Sequence, residues 1–198
     1  MNQQSNDPTQ QLRIKWDQRY ADEEKVARPA EVLLNNAHLL PKQGSALDLA
    51  CGLGGNALFL AGKGLEVEAW DLSAVAIQRL VQTAKQHNLN NLIAQLRDVE
   101  KQPPSAQQFD VIVVSYFLER GLIPALIQAL RPDGLIFYQT FTQQAVSEDG
   151  PKNPSFRLAD QELLQLFRDL RVRVYREEAR LGDLSLGRRD VAMLVAQK

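Results

Sequence analysis

The apolar positions along this chain change period three times. From Gln10 to Tyr20, Leu12, Trp16 and Tyr20 recur every four residues, which puts them on one stripe of a helix. Val32, Leu33, Ala37 and Leu40 give a second helical face over Ala30 to Leu40, with Pro41 just beyond it. A strand and helix alternation follows. Ser45 to Ala50 reads as a short apolar strand, Cys51 to Asn56 as a glycine-rich turn, and Ala57 to Ala61 as the start of a helix. Leu65 to Asp71 is a second strand, after which Ser73 can cap a helix that turns Ala76, Ile77, Leu80, Val81 and Ala84 to one side.

Asn91 to Arg97 reads as a weaker strand. Phe109 to Ser115 is rich in β-branched residues without polar alternation, the mark of a strand buried on both faces. Leu122 to Leu130 is helical and stops at Pro132, and Asp133-Gly134 turns into a strand from Leu135 to Phe141. Such alternation builds a parallel sheet with right-handed crossovers. Thr142 to Arg157, with Gly150, Pro151 and Pro154, reads as a loop of the length that often covers a site. Asp160 can cap a helix through Leu170. Val172 to Leu181 and Asp190 to Gln197 read as strands around a turn at Gly182 to Gly187, and so short a connection makes them antiparallel. The expected fold is α/β: a mainly parallel sheet of seven strands with one antiparallel strand near an edge and helices on both faces.

Length and composition narrow this further. A chain of 198 residues suits one domain with a real core, expected over residues 10–198 behind a loose, Asn- and Gln-rich arm at 1–9. The formal net charge of −1 withholds the positive field of a nucleic-acid binder. No apolar run approaches the ~18 residues of a membrane span, and the polar start does not resemble a secretion signal, so a cytoplasmic, membrane-free protein is expected. A single cysteine, Cys51, and two histidines, His38 and His87, offer neither a disulfide framework nor a zinc ligand set, and no metal is expected. His87 falls at a helix end, where the dipole favours a cation. Arg168, Arg171, Arg173 and Arg176 alternate with apolar residues and read as one exposed face.

The chemistry concentrates in Leu47-Asp48-Leu49-Ala50-Cys51-Gly52-Leu53-Gly54-Gly55-Asn56, a strand running into glycines and then a helix. Glycine lets backbone approach a ligand, and the helix N-terminus offers free N–H groups to an anion. Asp71, ending the next strand roughly 20 residues on, can accept from ribose hydroxyls. Gly52-x-Gly54-x-x-Ala57 alone also fits a dinucleotide fingerprint. Asp48 argues otherwise: pyrophosphate has no need of a neighbouring carboxylate, whereas a ligand with an amino acid end does. Asp48 also reads as a buried acid bonded to backbone, Asp71 as a turn residue and Asp98 as a solvated loop acid. Cys51 lacks a nearby histidine to activate it as a nucleophile.

On these residues the chain resembles the class I S-adenosylmethionine-dependent methyltransferases, with a Rossmann-like sheet. The family's acidic strand and glycine turn match Asp48, Gly52 and Gly54, its ribose acid matches Asp71, its adenine-binding acid matches Asp98, and its fourth-strand motif matches Phe109 to Ser115. Through Trp16-Asp17-x-x-Tyr20, Arg28-Pro29 and Arg189-Asp190-Val191-Ala192 it is most similar to the small tellurite-resistance-type methyltransferases. The resemblance implies S-adenosyl-L-methionine as cofactor, held by Tyr20, Arg28, Asp48, Ala50, Cys51, Gly52, Gly54, Asn56, Asp71, Leu72, Ser73, Asp98, Val99, Ser115 and Tyr116. It implies a small-molecule acceptor, a thiol or chalcogen oxyanion, and no dedicated catalytic residue. Ser115-Tyr116-Phe117-Leu118 lacks the Asn/Asp-Pro-Pro-aromatic signature of nucleic-acid amino methyltransferases. Arg157, Arg188 and Arg189 are candidate anchors for an anionic acceptor. A cofactor-binding module without turnover and a nicotinamide oxidoreductase remain as alternatives.

Overall fold

The computed structural model describes residues 7–22 and 27–198. Helix α1 (Pro8–Asp22) and the short α2 (Glu31–Asn35) precede β1 (Ser45–Leu49), α3 (Gly55–Gly62), β2 (Glu66–Asp71), α4 (Ala74–Gln86), β3 (Leu92–Leu96) and β4 (Phe109–Ser115). The chain continues through α5 (Ile123–Ala129), β5 (Leu130–Phe141), α6 (Glu162–Leu166), β6 (Arg171–Arg176) and β7 (Val191–Gln197). The seven strands form one sheet in the order β3-β2-β1-β4-β5-β7-β6. β7 runs antiparallel to both β5 and β6, and the other pairs are parallel. Strand order reverses between β1 and β4, so a crevice opens at the C-terminal ends of those two strands, where open α/β sheets bind ligands.

The pleat divides the core into two layers. Leu47, Leu49, Ile112, Val114, Ile136 and Tyr138 face α5 and α6 and pack with Leu126, Leu163 and Phe167. Ala46, Val111, Val113 and Phe137 face α2, α3 and α4 and pack with Leu33, Ala57, Leu60 and Leu80. Alternate residues of one apolar strand therefore serve opposite layers, which is why β1 and β4 carry no polar alternation. The same demand explains a bulge in β6: Arg173 is the extra residue between Val172 and Val174, and it lets Val174 join one layer while Tyr175 joins the other.

Several boundaries differ from expectation. The expected loose arm lies, for residues 1–6, outside the described residues, but Pro8 and Thr9 are already helical. The helix expected over Ala30 to Leu40 breaks at Asn36, whose side chain bonds the Val32 carbonyl (2.9 Å) before a tight turn at Ala37–Leu39. β5 starts at Leu130, pairing with Phe109, and the expected turn at Asp133-Gly134 is an irregularity inside the strand with Asp133 at φ 64°. Asp160 does not cap α6; Gln161 stands at that position without a side-chain cap, and Glu162 bonds the Ala159 N–H (2.7 Å). α6 ends at Leu166 rather than Leu170, and β6 ends at Arg176 rather than Leu181, with Ala179 at a left-handed φ of 47° inside the stretch expected to be strand. Ser73 caps α4, accepting from Ala76 N (3.1 Å), and His87 stands at its C-cap.

Candidate functional site

The turn after β1 is built from left-handed residues at every second position: Ala50 (φ 54°), Gly52 (φ 53°) and Gly54 (φ 79°). Alternation of this kind gathers N–H groups into an anion-binding concavity ahead of α3. Gly54 has no room for a side chain, since a Cβ would meet Leu80 at 2.6 Å, and Gly55 has none because the Arg28 backbone lies against it. At Gly52 a Cβ would lie 2.8 Å from the Tyr20 hydroxyl, so α1 brings Tyr20 directly over the turn. Trp16 stacks on Tyr20 with ring centroids 5.7 Å apart. The Leu12, Trp16 and Tyr20 stripe is thus not core packing: Leu12 is 40% exposed, and no described side chain of α1 is buried.

Two carboxylates fix the turn from beneath. Asp71 accepts from Gly52 N and from Ser73 N, each at 2.8 Å, tying the end of β2 to the glycine turn. Burial pushes its carboxyl above the usual carboxylate range despite these bonds. Asp48 is fully buried and accepts from Asn56 Nδ2 (3.1 Å) and Ala57 N (3.0 Å). Burial, opposed by these two bonds, raises its pKa from 3.8 to about 7. Asp48 is thus a buried acid bonded to the α3 backbone, as one of its two readings expects, and its carboxylate stands beside the turn with no cation against it among the described residues. Cys51 donates its N–H to Trp70 O, and burial raises its thiol well above its ordinary value. A neutral, buried thiol is no nucleophile.

A cavity of about 400 Å³ opens beyond Asp71 and is lined by Thr9, Leu12, Leu72, Asp98, Glu100 and Lys101. The structure thus brings Leu72 and Asp98 together under α1. Asp98 accepts from Glu100 N (3.2 Å) and pairs with Lys101 (3.3 Å). Val99 points into the core, so only its backbone can face the cavity. Arg28 is exposed beside the glycine turn, and its guanidinium makes no hydrogen bond to any described residue.

Ser115 and Tyr116 end β4 on the other side of the crevice. Asn56 Nδ2 donates to Ser115 Oγ (2.9 Å), and Asn56 Oδ1 accepts from Ala30 N (2.8 Å). Tyr116 takes a left-handed φ of 57°, lies against Phe141 (centroids 5.0 Å apart) and is 45% exposed. Of the three candidate anchoring arginines, two are otherwise engaged. Arg157 donates to the carbonyls of Pro151, Thr142 and Asp149, and Arg189 to those of Leu186, Leu181 and Asp183. Only Arg188 reaches the crevice, with Nη2 3.3 Å from Tyr116 Oη.

Three residues around the site are not among those the sequence assigns to the cofactor, although Asp17 stands in the Trp16-Asp17-x-x-Tyr20 motif. Gln139, fully buried in β5, accepts from Val32 N (2.9 Å) and donates to Tyr116 Oη (2.8 Å); its signal is a polar residue inside an apolar strand. Asp17 accepts from Ser73 Oγ and from Val75 N (3.2 Å), which docks α1 on the N-terminus of α4. Glu31 lies 2.9 Å from Arg188 and carries no sequence signal at all.

The fold agrees with the outcome of comparison with known proteins. Residues 12–190 match the model of the tellurite resistance protein TehB family. The chain belongs to that family. A TehB of Haemophilus influenzae, described as a probable S-adenosyl-L-methionine-dependent methyltransferase, is 31% identical over 144 residues, covering 70% of this chain and 49% of that protein. The chain therefore spans about half the length of the curated relatives it matches. The crystal structure of H. influenzae TehB superposes with a TM-score of 0.69 at 24% identity, covering 93% of this chain and 67% of that one. A SAM-dependent methyltransferase from Aquifex aeolicus superposes with a TM-score of 0.67 at 15% identity, covering 90% and 95%, and so shows the shared Rossmann-like fold. Among the described residues no three His, Cys, Asp or Glu side chains gather as metal ligands, and no helix is long and apolar enough to cross a membrane.

Proposed function

We propose that this TehB-family chain binds S-adenosyl-L-methionine and transfers its methyl group to a small-molecule acceptor, a thiol or chalcogen oxyanion. The observation that carries the reading is the buried, uncompensated Asp48 carboxylate set directly beneath a left-handed glycine turn. A dinucleotide site would place a pyrophosphate there, and the charges would repel. An amino acid ligand instead offers an ammonium for Asp48 and a carboxylate for the turn and Arg28.

The residues fit the rest of such a cofactor. Asp71, with lone pairs left beyond Gly52 N and Ser73 N, would accept from the ribose hydroxyls, and Leu72, Asp98 and the Val99 backbone would hold the adenine in the cavity below α1. When bound, the cofactor supplies a sulfonium methyl that a soft acceptor lone pair takes by in-line displacement, the C–S bonding electrons returning to sulfur. The protein's part is alignment and exclusion of water. Tyr116 and Ser115 stand at the end of β4, their side chains fixed by Gln139 and Asn56. α1, docked by Asp17, screens the opposite side. A thiol needs no dedicated base, because it can ionise to the thiolate in solution before it enters the site.

Two measurements test the proposal. S-adenosylhomocysteine should raise the melting temperature and NADH should not. With S-adenosylmethionine, a panel of thiols, metalloid oxyanions and small phenols should yield S-adenosylhomocysteine. Binding without turnover across that panel would favour a cofactor-binding module, and stabilisation by NADH alone an oxidoreductase.

A further inference from the structure

We infer that the chain pairs with a second copy of itself along β3, the two strands running antiparallel about a two-fold axis at Ala94 and joining both sheets into one.

β3 is an edge of the sheet, bonded to β2 alone. Val67 N donates to Asn91 O and Arg97 N to Asp71 O, each at 2.8 Å. In a parallel pair these bonds fix the alternation. Ile93 and Gln95 turn their N–H and C=O groups towards β2, and Leu92, Ala94 and Leu96 turn theirs outward. None of those outward groups has a backbone partner among the described residues. α4 packs on one face of the strand, but the chain from β3 to β4 forms no helix over the other, where Ile93 is 60% exposed. Leu96, at the end of the strand, is 47% exposed.

The opposite edge of the sheet is defended and this one is not. β6 carries Arg171, Arg173 and Arg176, with a bulge at Arg173, and charge and irregularity are what keep an open strand from pairing. Leu92-Ile93-Ala94-Gln95-Leu96 holds no charge and no proline, and its register with β2 is unbroken. An apolar edge of this kind is a template for another strand.

The row itself selects the strand it takes. Turned end for end about Ala94, it meets its own pattern: Ala94 exchanges both hydrogen bonds with its counterpart, and Leu92 with the partner's Leu96. Between them Ile93 faces the partner's Gln95 without a bond, which is the alternation an antiparallel ladder requires. Leu92 lies directly against the partner's Leu96, and the two Ile93 side chains come within diagonal reach on the open face. Charges do not collide in this register, since Arg97 meets the partner's Asn91, and Asp98 the partner's Asn90. Arg97 is in any case turned back from the edge, over the Trp70 ring (3.6 Å) and onto the carbonyls of Gln102 (2.8 Å) and Pro103 (3.0 Å). A strand of single-sign charge gains nothing at an uncharged row, whereas the copy returns a donor, an acceptor and a leucine at each matching place.

Sedimentation velocity of the intact protein from about 1 to 500 µM should show monomer passing into dimer, with a dissociation constant of about 1–100 µM, as suits a small interface. Amide exchange followed by NMR should slow at Leu92, Ala94 and Leu96 as concentration rises, while Ile93 and Gln95, bonded to β2, stay independent of it. Ala94→Pro removes an N–H that β2 does not use, so it should weaken the dimer about 10- to 100-fold and leave the melting temperature of the monomer close to native. Ile93→Lys, at an exposed position, sets two like charges diagonally across the pair and serves if the proline variant melts early. Val172→Lys on β6 should leave association unchanged. A monomer at every concentration, a dimer that persists in both β3 variants, a dimer dissolved by Val172→Lys, or edge amides indifferent to concentration would overturn the inference.

Discussion

The buried Asp48 makes cofactor affinity depend on pH in a calculable way. Its carboxyl titrates near 7 in place of 3.8, a displacement equivalent to about 4 kcal/mol against the charged form. A raised folded-state pKa favours folding most fully below pH 3.8 and loses that contribution as pH rises through 7, so at pH 8 the empty protein carries a buried charge at a cost. Both hydrogen-bond partners of Asp48 among the described residues, Asn56 Nδ2 and Ala57 N, are donors, so a proton on the carboxyl finds nothing to bond. A ligand ammonium is the partner proposed for it. If it returns the carboxyl to its ordinary range, binding below pH 7 must expel a proton, and affinity should fall about 30-fold between pH 8 and pH 5.5. Calorimetric titration of S-adenosylhomocysteine across this range, repeated in buffers of different ionisation enthalpy, measures both affinity and proton release. Release should approach one proton near pH 5.5, and Asp48→Asn should flatten the profile. An affinity constant within twofold, with heats independent of buffer, would refute the pairing of Asp48 with an ammonium.

Asp71→Ala should weaken S-adenosylhomocysteine by about 1.5–3 kcal/mol through lost ribose bonds. It should also lower the melting temperature, because the N–H groups of Gly52 and Ser73 are left unpaired in the interior. Unchanged affinity would remove the ribose role, and unchanged melting the structural one. Gly52→Val puts a β-branched residue at φ 53° and a Cβ 2.8 Å from the Tyr20 hydroxyl, so cofactor binding should vanish while circular dichroism still reports a folded chain. Retained affinity would exclude the turn as the site. Cys51, neutral and buried, should resist alkylation by iodoacetamide at pH 8 in the native protein and react on unfolding; rapid native labelling would contradict its placement.

What could be read from the chain divides along a physical line. β1 and β4 are legible because their apolar runs carry no polar alternation, β2 because Val67 and Ala69 alternate with Glu66 and Glu68, and the glycine turn because only glycine tolerates φ 79° hard against Leu80. Elements fixed by non-local bonds are less so. α6 and the end of β6 depend on Gln161 and Ala179, which adopt left-handed backbone without any glycine to announce it. The candidate site divides the same way. The centre of its proposed cofactor half, Asp48 to Ser73, is continuous in sequence, and Tyr20, Arg28 and Asp98 join it from outside that stretch. Glu31, Tyr116, Gln139 and Arg188, by contrast, come from four separate segments that meet only in the folded protein. Three arginines were equivalent as letters, and only the carbonyls around Arg157 and Arg189 separate them from Arg188.

The two halves are nevertheless joined through one side chain. Asn56 donates to Asp48 below the glycine turn and to Ser115 at the end of β4, and it accepts from Ala30 N at the entry to α2. Its amide is thus shared among the residue proposed to answer the cofactor's ammonium, the strand end proposed to face the acceptor, and the helix that carries Glu31. Because the amide is buried and planar, it cannot rotate to improve one bond without misdirecting the others. A charge change at Asp48 therefore alters the pull on the same NH₂ group that holds Ser115. The glycine turn and the crevice proposed for the acceptor are therefore one electrostatic unit, and Asn56→Asp would set a second carboxylate, beside Asp71, against Asp48 where the native amide supplies a donor.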